Sequence, residues 1–148
     1  MTIEGMLNKV KSIDLPNAVP DIIMQTKADM ILLNQIQLYN HGIDANGNLL
    51  TPYKSDSYAR KKFSRNPGPG FGQPDLKDTG EFYQDYTLSA NRTDYELDSS
   101  NMKSSALKKH YGDAIFGLTK DNKKVYALGV FYSAIQRYIT FKTGLTFR

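Results

Sequence analysis

Between residues 21 and 39 the apolar side chains do not form a single stripe. At about 100° per residue, Ile22, Leu33 and Ile36 fall on one side of a helix, Met24, Ile31 and Leu38 fall on the other, and Ile23 and Met30 flank them. A helix that is apolar nearly all round is buried on more than one side. In a chain of 148 residues it is the central helix of the domain or a surface helix covered by another subunit. Leu15-Pro16 predicts a break before it, Pro20 and Asp21 suit its first turn, and Gly42 terminates it. Upstream, Ile3, Met6, Leu7, Val10 and Ile13 make residues 1–15 a short amphipathic helical segment. Glu4 precedes any apolar run, so this stretch does not read as a secretion signal.

A second over-apolar helix is predicted at 120–141, with Thr119 as its N-cap and Gly144 just beyond it. Val125, Leu128, Tyr132, Ile135 and Ile139 form one stripe, and Ala127, Phe131, Ala134, Tyr138 and Phe141 form another. Either the helix lies deep in its own core, or one stripe faces the core and the other a neighbouring subunit. Two such helices in so small a domain favour the neighbour. The interface candidates are Ile31, Leu38, Phe63, Phe71, Phe131, Tyr138 and Phe141.

Between these helices the chain reads differently. Glu81–Leu88 and Thr93–Leu97 are rich in aromatic and β-branched residues and bracket the polar Ser89-Ala90-Asn91-Arg92, which predicts a β-hairpin. Asn46 and Gly47 predict a tight turn, and Asp78 and Gly80 another, with a positive φ at Gly80. A calcium loop starting at Asp44 is excluded by spacing, since its sixth and twelfth positions would be Leu49 and Ser55. Ser104–Tyr111 predicts a short helix.

Residues 54–75 hold Lys54, Arg60, Lys61, Lys62 and Arg65 beside aromatic residues, then a run rich in proline and glycine. The expectation is an extended loop or arm, mobile in an isolated subunit, anchored on a neighbour by Phe63 and Phe71. Its cations are candidates for contact with DNA or an acidic partner surface. Charge is uneven along the chain: three basic against five acidic residues in 1–50, five against two in 51–75, two against six in 76–102, and nine against two in 103–148.

Chemistry is sparse. The absence of cysteine removes disulfides, thiolate metal sites and cysteine nucleophiles. His41 and His110 have no zinc-ligand spacing, and no phosphate-cradling glycine loop precedes a helix. Asp78-Thr79-Gly80 matches the aspartic-protease triplet but follows Leu76-Lys77 instead of a hydrophobic strand. No catalytic, metal or cofactor residues are assigned, no cofactor is expected, and the chain reads as a non-enzyme. No apolar run approaches the ~20 residues a bilayer span needs, so no membrane contact is expected.

The predicted fold is a single α+β domain over residues 1–148: a small antiparallel β-sheet made by the hairpin, packed against two long helices, with the basic loop beside them. Leu76–Tyr83, the hairpin, Tyr111–Thr119 and a terminal helix together resemble small neck proteins of tailed bacteriophages, the virion-morphogenesis, tail-completion and tail-terminator proteins. Gly42–Asn48 and Pro52-Tyr53 resemble the turn region of some of them. The resemblance covers roughly residues 30–140. It implies an α+β domain assembled as a homo-oligomeric ring at the head–tail junction of a virion, built in the host cytoplasm, joining portal and tail without catalysis. Its partners would be portal, adaptor or tail proteins, with non-specific DNA contact in the channel. The alternative reading is a small basic nucleic-acid-binding protein.

Overall fold

A computed structural model describes residues 2–148. Eight α-helices and one hairpin follow in the order α1 (Ile3–Lys11), α2 (Leu15–Gln25), α3 (Lys27–His41), α4 (Asp56–Arg65), α5 (Glu81–Gln84), β1 (Tyr86–Ala90), β2 (Tyr95–Ser99), α6 (Ser104–Tyr111), α7 (Lys120–Tyr126) and α8 (Tyr132–Thr143). The fold is α+β, with the antiparallel hairpin packed against α2 and α3.

The long helix expected at 21–39 is two helices. Asp14 caps α2, so Pro16 starts a helix where a break was expected, its missing N–H falling in the first turn. The break lies at Thr26. Its Oγ1 donates to Ile22 O at 2.9 Å and shares a 2.7 Å hydrogen bond with the Tyr126 hydroxyl. A threonine that bonds back to the preceding turn competes with the helical ladder. Gly42 ends α3 with φ +59°, as the sequence predicts.

Helix α3 is central. Met30 faces one apolar cluster, with Ile23, Leu88, Leu97, Leu118 and Tyr126. Leu38 faces another, with Leu50, Leu76, Phe82 and Ile115. Burying each such side chain contributes roughly 1.5–3 kcal/mol. Leu38 is therefore a core residue and not an interface residue. Asn34 and Gln37, also on the inner face, pin the connector that precedes α7. Asn34 Nδ2 donates to Ile115 O and Gly117 O, while Gln37 Oε1 accepts from Thr119 N at 2.9 Å and from Asn122 Nδ2 at 3.1 Å.

The hairpin lies later in the chain than predicted. Gly80, at φ +97°, leads into the single turn α5, and β1 begins only at Tyr86. Leu88 pairs with Leu97 on the inner face, and Tyr86 with Ser99. The turn is Asn91–Asp94, where Asn91 Oδ1 accepts from Thr93 N and Asp94 N. The Asn46-Gly47 turn forms as predicted. Asp44 Oδ1 accepts from Asn46 N and Asn48 N, and Gly47 has φ +80°.

The 54–75 arm is corrected. Its basic half is helix α4, capped by Ser55, which accepts from Tyr58 N. Ala59, Lys62 and Asn66 recur at three and four residues and seat the helix on its own domain. Asn66 Nδ2 donates to Tyr39 O at 2.8 Å, and Lys62 Nζ pairs with Asp75. Lys62 is buried, so it leaves the set of partner-facing cations.

The C-terminal helix runs past its predicted end to Thr143 and contains a π-helical segment, Ala127–Phe131, between α7 and α8. Thr119 caps it and Gly144 ends it at φ +74°. The wider π turn inserts one residue into the α repeat. Phe131, Ala134 and Tyr138 then meet Ala18 and Ile22 of α2 in a third cluster.

Candidate assembly surfaces

Two apolar rows are left uncovered. The first runs along α3, where Ala28, Leu32 and Ile36 are spaced by four and all exposed, Leu32 by 53%, with Met24 of α2 exposed before the break. At 3.6 residues per turn this row lies roughly opposite Met30, Asn34 and Gln37, so it points away from α7. It opens into a shallow groove of about 350 Å³ between Leu32, Ile36, Tyr39 and Tyr83.

The second row lies on the C-terminal helix. Val125, Leu128 and Tyr132 are exposed, Leu128 by 73%. A Cβ on neighbouring Gly129 would meet nothing within 4 Å. Phe141 is 85% exposed. Helix α1 packs against α8 yet buries none of its own residues, leaving Ile3, Leu7 and Val10 exposed. Lys120 and Lys124 precede Leu128 at four-residue steps, whereas Asp21, Lys27 and Asp29 flank the first row and Lys77 lines its groove.

The interface candidates divide accordingly. Phe141 stands free, while Ile31, Phe131 and Tyr138 are half-buried against their own core. Phe63 and Phe71 are partly exposed and pack edge-to-face at 5.9 Å, so they brace α4 on the following loop of the same chain. Leu32 was missed because the sequence reading sorts the larger set of apolar side chains into two opposed stripes. Four-residue spacing from Met24 to Ile36 is the signal that would have found the row. Lys54, Arg60, Lys61 and Arg65 are exposed.

Half-buried tyrosines surround the second core cluster. Burial pushes Tyr83 and Tyr86 well above the usual tyrosine range, with the Tyr83 hydroxyl donating to Asp75 O. Partial burial raises Asp98, but the N–H of Ser99 and the ammonium of Lys108 outweigh it and hold the carboxyl below its ordinary range. Among the described residues, no group of three or more His, Cys, Asp or Glu could hold a metal ion, and no helix is long and apolar enough to cross a membrane. No protein-family model, curated protein or solved structure matches this chain significantly.

Proposed function

We propose that the protein is a structural subunit of a tailed-bacteriophage virion, forming a ring at the head–tail junction that joins portal and tail. The observation that carries this reading is the pair of unlike apolar rows that one copy leaves uncovered. Identical patches pair by twofold symmetry and stop at a dimer, whereas two different patches pair head to tail and close into a ring when the rotation allows. The α2–α3 row of one subunit, bordered by charges of both signs, meets the lysine-flanked α7–α8 row of the next. The neck-protein resemblance of residues 30–140 supplies the setting. The mechanism is geometric: ring closure fixes a symmetry, and the ring bridges its neighbours around the DNA path.

Light scattering at high protein concentration, with imaging of the assembled neck, tests the reading. Leu32→Asp and Leu128→Asp should each block growth beyond one subunit. Mixing the two variants should give a dimer and nothing larger, because each retains one intact row. A mixture that stays monomeric while wild type assembles would rule out head-to-tail pairing of these rows. A subunit present as a single copy in its particle would overturn the ring.

A further inference from the structure

Strand β2 has a free edge. The sheet is two-stranded, and α2 and α3 pack against β1. Asn91 N donates to Asp94 O and Ser100 N to Asp85 O, each at 2.9 Å, at the two ends of the hairpin ladder. Hydrogen-bonded pairs alternate along an antiparallel ladder. Glu96 and Asp98 therefore turn their main-chain groups toward β1, while Tyr95, Leu97 and Ser99 turn theirs outward. The outward N–H groups of Tyr95 and Ser99 are each taken by the preceding carboxylate, Asp94 or Asp98, at 2.8 Å. Leu97 keeps its N–H and its C=O without a partner among the described residues. This edge borders a cleft of about 600 Å³ that Phe116 and Leu118 also line. The Leu97 side chain lies in the core, so Leu97 presents its main chain to the cleft. Lys108 lines the cleft too but is held by Asp98 at 3.1 Å. Asp94, Glu96 and Asp113 form no ion pair among the described residues, against one free cation, Lys123.

We propose that the free edge of β2 takes up an extended segment of another protein in which lysine or arginine alternates with apolar residues. Main-chain pairing at a sheet edge supplies affinity, and side chains at alternate positions supply selectivity. The segment runs antiparallel, like the existing pair, so one of its residues closes both hydrogen bonds with Leu97. That residue shares the inner face with Leu97 and is apolar, since Leu97 packs there with Leu118 and Phe116. Its two neighbours share the outer face with Glu96 and Asp98 and are cationic. The unpaired edge makes the site, and the carboxylates select the charge of what fills it. A second copy docking by the same edge is disfavoured. Antiparallel pairing centred on Leu97 would set Glu96 opposite Asp98, and like charges there are destabilising. No residue of the cleft belongs to either apolar row, so this surface stands apart from the ring reading.

Fluorescence anisotropy tests it, with the full chain titrated into a labelled, end-blocked peptide of alternating lysine and valine, about six residues long. This peptide should bind roughly tenfold tighter than a block peptide of the same composition. It should exceed by a similar factor its own form N-methylated at the valines, which cannot donate to Leu97. Bound peptide should slow amide exchange at Leu97 by at least about tenfold and leave Glu96, already paired within the hairpin, within about twofold. Glu96→Lys should weaken binding by roughly tenfold, and Glu4→Lys, the same charge change on α1, by less than about threefold. Both positions are exposed, and matching circular dichroism will verify their folds. Equal affinity for the block or N-methylated peptide would mean that charge alone is read, and the added strand would be wrong. Unchanged exchange at Leu97 would also overturn the proposal, as would equal losses from the two variants. Absence of binding at low salt, or equal binding of an alternating glutamate–valine peptide, would overturn it too.

Discussion

Lys62 Nζ lies 2.6 Å from Asp75 Oδ1, and the two side chains are only 11% and 6% exposed. The pair ties α4 to the loop that follows it. Asp75 also accepts from Asn66 Nδ2 and Lys77 N, and Lys62 donates to Lys77 O. Removing one partner leaves a buried charge uncompensated. Asp75→Ala should therefore destabilise the domain by about 3 kcal/mol, read as a lower denaturant midpoint. The double change Lys62→Met with Asp75→Leu should recover most of that loss. No recovery would show that the charges themselves hold α4.

Gln37 is a buried amide with partners on every side. Gln37→Leu keeps the apolar volume of α3 but strands Thr119 N and Asn122 Nδ2, which both donate to Gln37 Oε1. The expected loss is about 2–3 kcal/mol by urea titration. An unchanged midpoint would mean water replaces the side chain at no cost.

Gly80 holds φ +97° at the entrance to α5, and a Cβ there would meet only Lys77 Cε at 3.7 Å. Space is not the constraint, so the cost of Gly80→Val is backbone strain of about 1–3 kcal/mol. Gly80→Asn should cost less, because asparagine tolerates the left-handed region better. Equal melting temperatures for wild type and both variants would refute the strain.

Burial raises Tyr83 and Tyr86 above the ordinary tyrosine value. An unfolded tyrosine titrates near 10, so above that pH the unfolded state loses its protons first. The stability from keeping these hydroxyls neutral is fully present below pH ~10 and declines as pH rises beyond it. Denaturant midpoints should fall progressively as pH rises above ~10, with the tyrosinate signals of Tyr83 and Tyr86 appearing only as the chain unfolds. Tyrosinate signals from these residues in the folded protein would contradict the burial.

Local signals were legible in the sequence where one residue type decides the backbone. Gly42, Gly144, Thr119, Asn46-Gly47 and the bounds of α6 stand where the sequence places them. What was not legible depends on distant partners. Thr26 breaks a helix through a bond to Tyr126, a hundred positions away. Helix α4 looks like a solvated basic loop until Asp75 pairs with Lys62. The π segment inserts a residue with no composition of its own, and so decides which stripe of the last helix is inward. Both uncovered rows inherit their phase from these events, which is why the sequence predicts surplus apolar surface and misassigns part of it. Leu38 went to the core, while Met24, Leu32 and Ile36 went to the outside.

Helix α1 rests on α8, at the other end of the sequence, and buries none of its own residues. During translation the first helix therefore has no docking site until residues 132–143 have left the ribosome. The third core cluster, shared by α2 and α8, is likewise incomplete until then. Domains close as cooperative units, and contacts this far apart in sequence form late. The domain therefore closes only after residues 132–143 have emerged, and until then the inner side of α2 stays open to solvent. The topology itself makes closure of the domain a late event in the life of the chain.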